Sequence, residues 1–180
     1  IDASQEPSDQ DVKVAGLAWK RGVSVIILIN KWDLLSQEKR SNTYWQKVLW
    51  REFRMFHQIP FLFISATQKR NIQKIFQAVD QSKHIHDKVL SPEEISEHFK
   101  SWVQKTPPPL HLIKRKERRP LRRSILFYGC RQIDHAPPVF EVKTNTPDGI
   151  PAAYDQFLKT RFRETFGFWG VPITIKYARI

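Results

Sequence analysis

The sequence is sparing with three residue types. Its 180 residues include one cysteine, one methionine and six glycines. A lone Cys130 excludes an internal disulfide and suits a reducing compartment. No apolar run approaches the ~18 residues that a membrane-spanning helix needs. The few glycines form no G-x-x-x-x-G-K-[ST] stretch, and no Asp-x-x-Gly follows a strand. These residues therefore lack a phosphate cradle, its lysine and its Mg²⁺-binding hydroxyl.

Positive charge and aromatic rings, by contrast, are plentiful. Thirty Lys+Arg against 18 Asp+Glu leave a formal charge of +12. That surplus favours an anionic partner, nucleic acid first. A hydrophobic fraction of 41%, with 12 Phe and 6 Trp, excludes a disordered chain. The length suits one or two modest domains. The opening Ile1-Asp2-Ala3 has no initiator Met and no signal segment. It reads as the end of a buried strand running into a loop, so a longer parent protein is expected.

Periodicity separates two halves at Leu90/Ser91. In the first, Ser8-x-x-Asp11 resembles a capping box with Asp in place of Glu and opens a helix to about Lys20, stopped near Gly22. Val23–Ile29 (VSVIILI) is almost unbroken in its apolar, β-branched character, the mark of a strand buried on both faces. Trp45, Val48, Leu49, Phe53 and Phe56 keep helical spacing. Pro60 precedes a second buried strand, Phe61–Ile64. Ile72, Ile75, Phe76 and Val79 then mark a helix to about Asp87. Alternating helix and strand implies an incomplete α/β parallel sheet over residues 1–90.

The second half, 91–180, reads as a small α+β domain in the order α-β-β-α-β. Ser91-Pro92-Glu93-Glu94 is a strong helix start, and Ile95, Phe99, Trp102 and Val103 give that helix its apolar face. Pro107-Pro108-Pro109 ends it. Strands are expected at Ser124–Ile133, Val139–Thr144 and Val171–Tyr177, with Pro137-Pro138 and Pro147-Asp148-Gly149 in turns. A helix from Pro151 to Gly167 lies between the last two strands.

Asn30-Lys31-Trp32-Asp33 sits directly after VSVIILI. In an open α/β sheet, ligands bind beyond the C-terminal strand ends. An Asn-Lys-x-Asp there is suited to reading guanine. Asp33 can accept from the ring N1–H and the 2-amino group, neither of which adenine offers. Asn30 can bond the purine edge, and the Lys31 stem can lie flat over the base. After the next strand, Ser65-Ala66 brings a backbone N–H of Ala66 suited to the guanine 6-oxo group. An ordinary polar turn is the competing reading of the four residues, and the placement after two successive strands weighs against it.

These motifs carry a resemblance. Asp2-Ala3-Ser4-Gln5-Glu6, Ala15-Gly16-Leu17-Ala18, Asn30-Lys31-Trp32-Asp33-Leu34 and Ile64-Ser65-Ala66 closely resemble the second GTPase domain of the Der (EngA) family. Thr106-Pro107-Pro108-Pro109, Pro137-Pro138-Val139-Phe140 and Arg163-Glu164-x-Phe166-Gly167-Phe168-x-Gly170-x-Pro172-Ile173 resemble that family's C-terminal KH-like domain. The resemblance implies a cytoplasmic, bacterial GTP-binding protein with two tandem GTPase domains and a KH-like domain, acting in large ribosomal subunit assembly. It implies Asn30, Lys31 and Asp33 as guanine-specificity residues supported by Ser65 and Ala66. GTP or GDP is the implied cofactor, with Mg²⁺ only in a complete parent. Without a phosphate loop, this chain alone is not expected to hydrolyse GTP. The implied partners are the large-subunit precursor and rRNA, with no membrane, and a monomer is favoured.

Lys114, Arg115, Lys116, Arg118, Arg119, Arg122 and Arg123 crowd ten residues against the single acid Glu117. They are candidates for rRNA phosphate contact, with a solvated connector as the bland alternative. A KH-like module that binds RNA without catalysis, or one that merely docks within the molecule, is the competing function. Gly167-Phe168-Trp169-Gly170 is literally a GXXG, but its place after a helix reads as a C-cap and turn. The histidines at 57, 84, 86, 98, 111 and 135 have no partners at ligand spacing, so no metal site is expected. Cys130 reads as a small core residue.

Overall fold

In the computed structural model, residues 1–53, 59–115 and 118–180 are described. The chain divides into two compact units. One comprises residues 1–86 with 169–172, the other 87–168 with 173–180. The break falls just before the Leu90/Ser91 boundary read from periodicity.

The first unit begins with helix α1, Asp9–Lys20. Its capping box is complete. Ser8 N–H donates to Asp11 Oδ2 at 2.8 Å, and Asp11 N–H returns to Ser8 Oγ at 3.3 Å. Strand β1, Ile27–Ile29, follows, then α2, Asn42–Glu52, β2, Phe61–Phe63, and α3, Ile72–His86. The Phe56 end expected for α2 lies outside the described residues.

β1 and β2 pair in parallel, Ile27 opposite Phe61 and Ile29 opposite Phe63. Asp2 forms an isolated parallel bridge to Asn30 on the other side of β1, and a turn follows it. The expected parallel sheet is present, although β1 is shorter than the apolar run Val23–Ile29. The reason is local. The β2 ladder starts after Pro60, whose carbonyl takes the Ile27 N–H at 2.9 Å, while the Val25 N–H goes to Gly170 O at 3.2 Å. Upstream of Ile27 the run is therefore tied to the 169–172 segment instead of to β2. Gly170 is required there. Its φ is +69°, and a methyl placed on it would stand 2.5 Å from Pro60 Cδ. Glycine alone meets both conditions without strain. Ile29, Trp45, Val48, Leu49 and Phe53 form the core beneath the sheet.

The second unit opens with α4, Pro92–Lys105, capped by Ser91 Oγ on the Glu94 N–H. A hairpin follows that the α-β-β-α-β reading had not foreseen. β3, His111–Arg115, pairs antiparallel with β4, Arg118–Arg123. Then come β5, Phe127–Asp134, β6, Val139–Thr144, α5, Ala152–Phe166, and β7, Thr174–Arg179. The sheet order is β5-β6-β7, with β5–β6 antiparallel and β6–β7 parallel. β5 begins later than expected because Asn145 bridges its approach, accepting from the Leu126 N–H and donating to Ser124 O. β7 begins at Thr174, the register partner of Val139, where β6 itself begins.

Phe140, Leu158 and Phe162 are fully buried between β6 and α5, and the Phe140 and Phe162 rings stack at 3.9 Å. Trp102 of α4 meets Phe162 edge-on at 5.0 Å. Each such ring is worth roughly 1.5–3 kcal/mol through burial. No helix among the described residues is long and apolar enough to cross a membrane.

Candidate functional site

The site lies at the C-terminal ends of the parallel strands, where three loops meet. The first is Asp2–Ser4. Asn30 N–H donates to Ile1 O at 2.9 Å, and Ala3 N–H donates to Asn30 O at 2.8 Å. The second, Asn30–Asp33, leaves β1 with Lys31 in the left-handed region at φ 62°, ψ 33°. The third follows β2. Ser65 is fully buried and pairs with Arg70 through two backbone hydrogen bonds. Ser65 Oγ also accepts from the Gln68 N–H at 3.2 Å.

Asn30 ties the loops together. Its Oδ1 accepts from Lys31 N–H at 2.8 Å and from Ala66 N–H at 3.1 Å. With the carbonyl end fixed by two donors, the Nδ2 end is set to donate outward. The Ala66 N–H is thus engaged with Asn30 here, where the sequence assigned it to a guanine 6-oxo group. Trp32 N–H donates to Ile64 O at 3.2 Å, and its ring stands 3.9 Å from that of Phe63. Those contacts, with buried Leu35 behind them, hold the short 3₁₀ turn Trp32–Leu34 that carries Asp33.

Asp33 is the most informative group. Its Oδ1 is buried and has no hydrogen-bond partner among the described residues. Arg40 approaches, but its Nη2 donates to the Asp33 backbone carbonyl at 2.7 Å. Burying a carboxylate oxygen without a donor is costly, and native structures rarely leave such an atom unexplained. A ligand N–H directed at that oxygen supplies what is missing, and guanine carries two such groups on one edge. Guanine fits that test on the donor set and on the orphaned oxygen.

Lys31 Nζ donates to Asp2 Oδ2 at 2.7 Å. That bond, together with two more from the Ser4 hydroxyl and N–H, holds the Asp2 carboxyl down at a pKa of about 2. Asp2 and Ser4 belong to the site's framework but not to its sequence reading. The available signal was the placement of Asp2 at a strand end beside the one carrying Asn30.

The structure thus brings Asn30, Lys31, Asp33, Ser65 and Ala66 together. The basic candidates lie elsewhere, in the second unit. Arg115 and Arg118 are register partners at the tip of the β3–β4 hairpin, and Arg123 is opposite His111. Lys116, and the side chains of Lys114, Arg115, Arg118, Arg119 and Arg122, lie outside the described residues; Arg123 is exposed. Gly167 caps α5 at φ 73°, as read for the GXXG. No group of three or more His, Cys, Asp or Glu suited to a metal occurs among the described residues. Burial pushes the Cys130 thiol up to about 12.

A parallel sheet with an Asn-Lys-x-Asp turn at its strand ends, followed by a separate α+β unit, defines a GTP-binding-domain architecture joined to a KH-like module. Comparison with known proteins agrees segment by segment. Residues 1–84 match the elongation factor Tu GTP binding domain. Residues 90–177 match the KH-domain-like C-terminal domain of EngA bacterial GTPase enzymes. GTPase Der of Caldanaerobacter subterraneus subsp. tengcongensis is 33% identical over 177 residues, covering 97% of this chain and 38% of that protein. GTPases Der of Natranaerobius thermophilus and Citrifermentans bemidjiense are 30% and 32% identical, again over 97% of this chain and 38% of theirs. Over nearly its whole length the chain is similar to members of the Der (EngA) family. It spans a little over a third of the length of the curated relatives it matches.

Proposed function

We propose that this chain reads the guanine base of GTP or GDP through Asn30, Lys31 and Asp33, with Ser65 and Ala66 bracing the reading loop. In this proposal it belongs to a cytoplasmic GTPase that serves assembly of the large ribosomal subunit. The observation that carries the base reading is the buried, unpartnered Asp33 Oδ1, beside an Asn30 whose carbonyl end is already fixed. A carboxylate accepts two hydrogen bonds from guanine and none from adenine, and sites built this way reject the analogue that leaves a buried group unpaired. The phosphate chemistry, and any Mg²⁺, would come from residues outside these 180.

The test is a titration of the chain with guanosine, adenosine and xanthosine, followed by the backbone resonances of Ala66 and Trp32. Guanosine is expected to shift both and adenosine neither. Asp33→Asn is expected to lower guanosine affinity by about 10–100-fold, the loss of hydrogen bonds to a charged acceptor. It is also expected to admit xanthosine, whose 2-oxo group fits the new amide. Equal binding of guanosine and adenosine by the unaltered chain would refute the reading.

The ribosomal part rests on the clustered cations at 114–123 and the KH-like module. Binding to large-subunit particles is expected to fall steeply between low and physiological salt, as counterion release requires. A flat salt profile would remove the phosphate-contact idea. Charge reversal at Arg118, Arg119, Arg122 and Arg123 separates RNA contact from docking within the molecule: only the first predicts lost particle binding.

A further inference from the structure

We infer that Asp2 is a positioning residue of the base site: by holding Lys31 Nζ, it lays the lysine stem across the face where the purine is read. The inference rests on the guanine reading above. It starts from a conformational fact. Lys31 is one of the few non-glycine residues with positive φ. Residues held in that region persist only where their surroundings over-determine them, and they gather at functional sites. Here the surroundings are visible. Asn30 Oδ1 takes the Lys31 N–H, Asp2 Oδ2 takes the Nζ, and Leu34 N–H donates to the Lys31 carbonyl at 3.0 Å.

Asp2 is itself held in place. Its backbone is bridged to Asn30, and its Oδ1 accepts from the Ser4 N–H at 2.9 Å and from Ser4 Oγ at 2.7 Å. One carboxylate oxygen is thus anchored to its own loop and the other to the lysine. Half of the Lys31 side chain is exposed, and an ion pair in that setting adds little to stability. Its effect is geometric. A lysine stem is flexible, and leaving it free would impose an ordering cost on every base that docks beneath it. Fixing the ammonium removes that cost beforehand.

The stem meets the face of a ring, whereas Asp33 meets its edge. Asp2 is therefore expected to govern how tightly purines bind, without altering which purine is preferred. Guanosine and inosine titrations of the chain and of Asp2→Asn and Asp2→Ala decide this. Both variants are expected to lose about three- to tenfold in affinity for guanosine and inosine alike, in line with the loss of one charge-assisted hydrogen bond. The ratio between the two ligands should stay as in the unaltered chain. Asp2→Glu, which restores the charge, is expected to recover part of the loss. Unchanged affinity in Asp2→Asn, with guanosine preference intact, would overturn the inference and leave the guanine reading standing. A changed guanosine-to-inosine ratio would overturn it too, by making Asp2 an edge reader. No guanosine preference in the unaltered chain would overturn the reading, and the inference with it.

Discussion

In the first unit a small parallel sheet ends in polar loops, and a carboxylate oxygen is buried with no donor among the described residues. In the second, a three-stranded sheet is closed over by rings, with Phe140, Phe162 and Phe168 all fully buried. The first unit thus places a buried carboxylate oxygen among its polar loops, while the second packs a layer of apolar rings against its sheet. A buried polar group without a partner costs stability and gives specificity to whatever completes it. A packed aromatic layer gives stability and reads nothing. Guanine selection and domain integrity should therefore respond to different substitutions.

The largest expected effect attacks the second unit. Phe162 stacks on Phe140 at 3.9 Å and meets Trp102 at 5.0 Å. Phe162→Ala leaves a cavity among rigid rings, and a loss of about 3–5 kcal/mol is expected. Urea unfolding followed by near-ultraviolet dichroism measures it. The comparison breaks if this variant also loses its preference for guanosine over adenosine.

Next comes Gly170→Ala, aimed at the first unit from a residue late in the chain. A Cβ there meets Pro60 Cδ at 2.5 Å, in backbone with φ +69°. Overpacking and left-handed strain together are expected to cost about 1–3 kcal/mol. Val25 and Pro60, the two contacts of Gly170, lie just ahead of β1 and β2, whose far ends carry Asn30 and Ser65. The loss should accordingly be accompanied by broadened Trp32 and Ala66 resonances. Sharp, unshifted resonances would show that the strands hold their loops without the Gly170 contact.

That contact also marks where the sequence stops being legible. Local signals were readable. Ser8-x-x-Asp11 announced its box, Ser91-Pro92 its helix start, and Val139–Thr144 its strand to the residue. Asn30-Lys31-Trp32-Asp33 and Ser65-Ala66 were readable as a pair because each follows a buried strand. Non-local choices were not. Nothing in Val23–Ile29 shows that its first half will bond to Gly170, nearly the whole chain away. Nor did the 111–123 hairpin show itself. Its cations mask the alternation of apolar residues, and its pairing depends on a register irregularity between Ile113 and Arg115. Asp2 was seen as a strand end, but its ion pair with Lys31 depends on a bridge across the sheet. The unpartnered state of Asp33 Oδ1 depends on where Arg40 turns. Both are facts of three-dimensional placement.

The smallest expected effect compares one helix start from each unit. α1 uses both halves of its box, whereas the bond seen at α4 is the Glu94 N–H on Ser91 Oγ. Ser91→Ala is expected to cost about 1 kcal/mol at any pH where the chain is folded, because a hydroxyl accepts equally well in acid and at neutrality. Asp11 behaves differently. The Ser8 N–H, and then the Ser8 hydroxyl, bond to its carboxylate and hold its pKa below the ordinary 3.8. A lowered folded pKa means stability that is fully present above 3.8 and is lost as pH falls through the folded value. Asp11→Ala should thus cost about 0.5–1 kcal/mol at pH 7 and progressively less as the pH drops below 3.8. Urea midpoints at pH 7 and pH 3 check both. If the Asp11→Ala penalty were the same at the two pH values, the box at α1 would be held by the Ser8 hydroxyl alone, and the two helix starts would be equivalent.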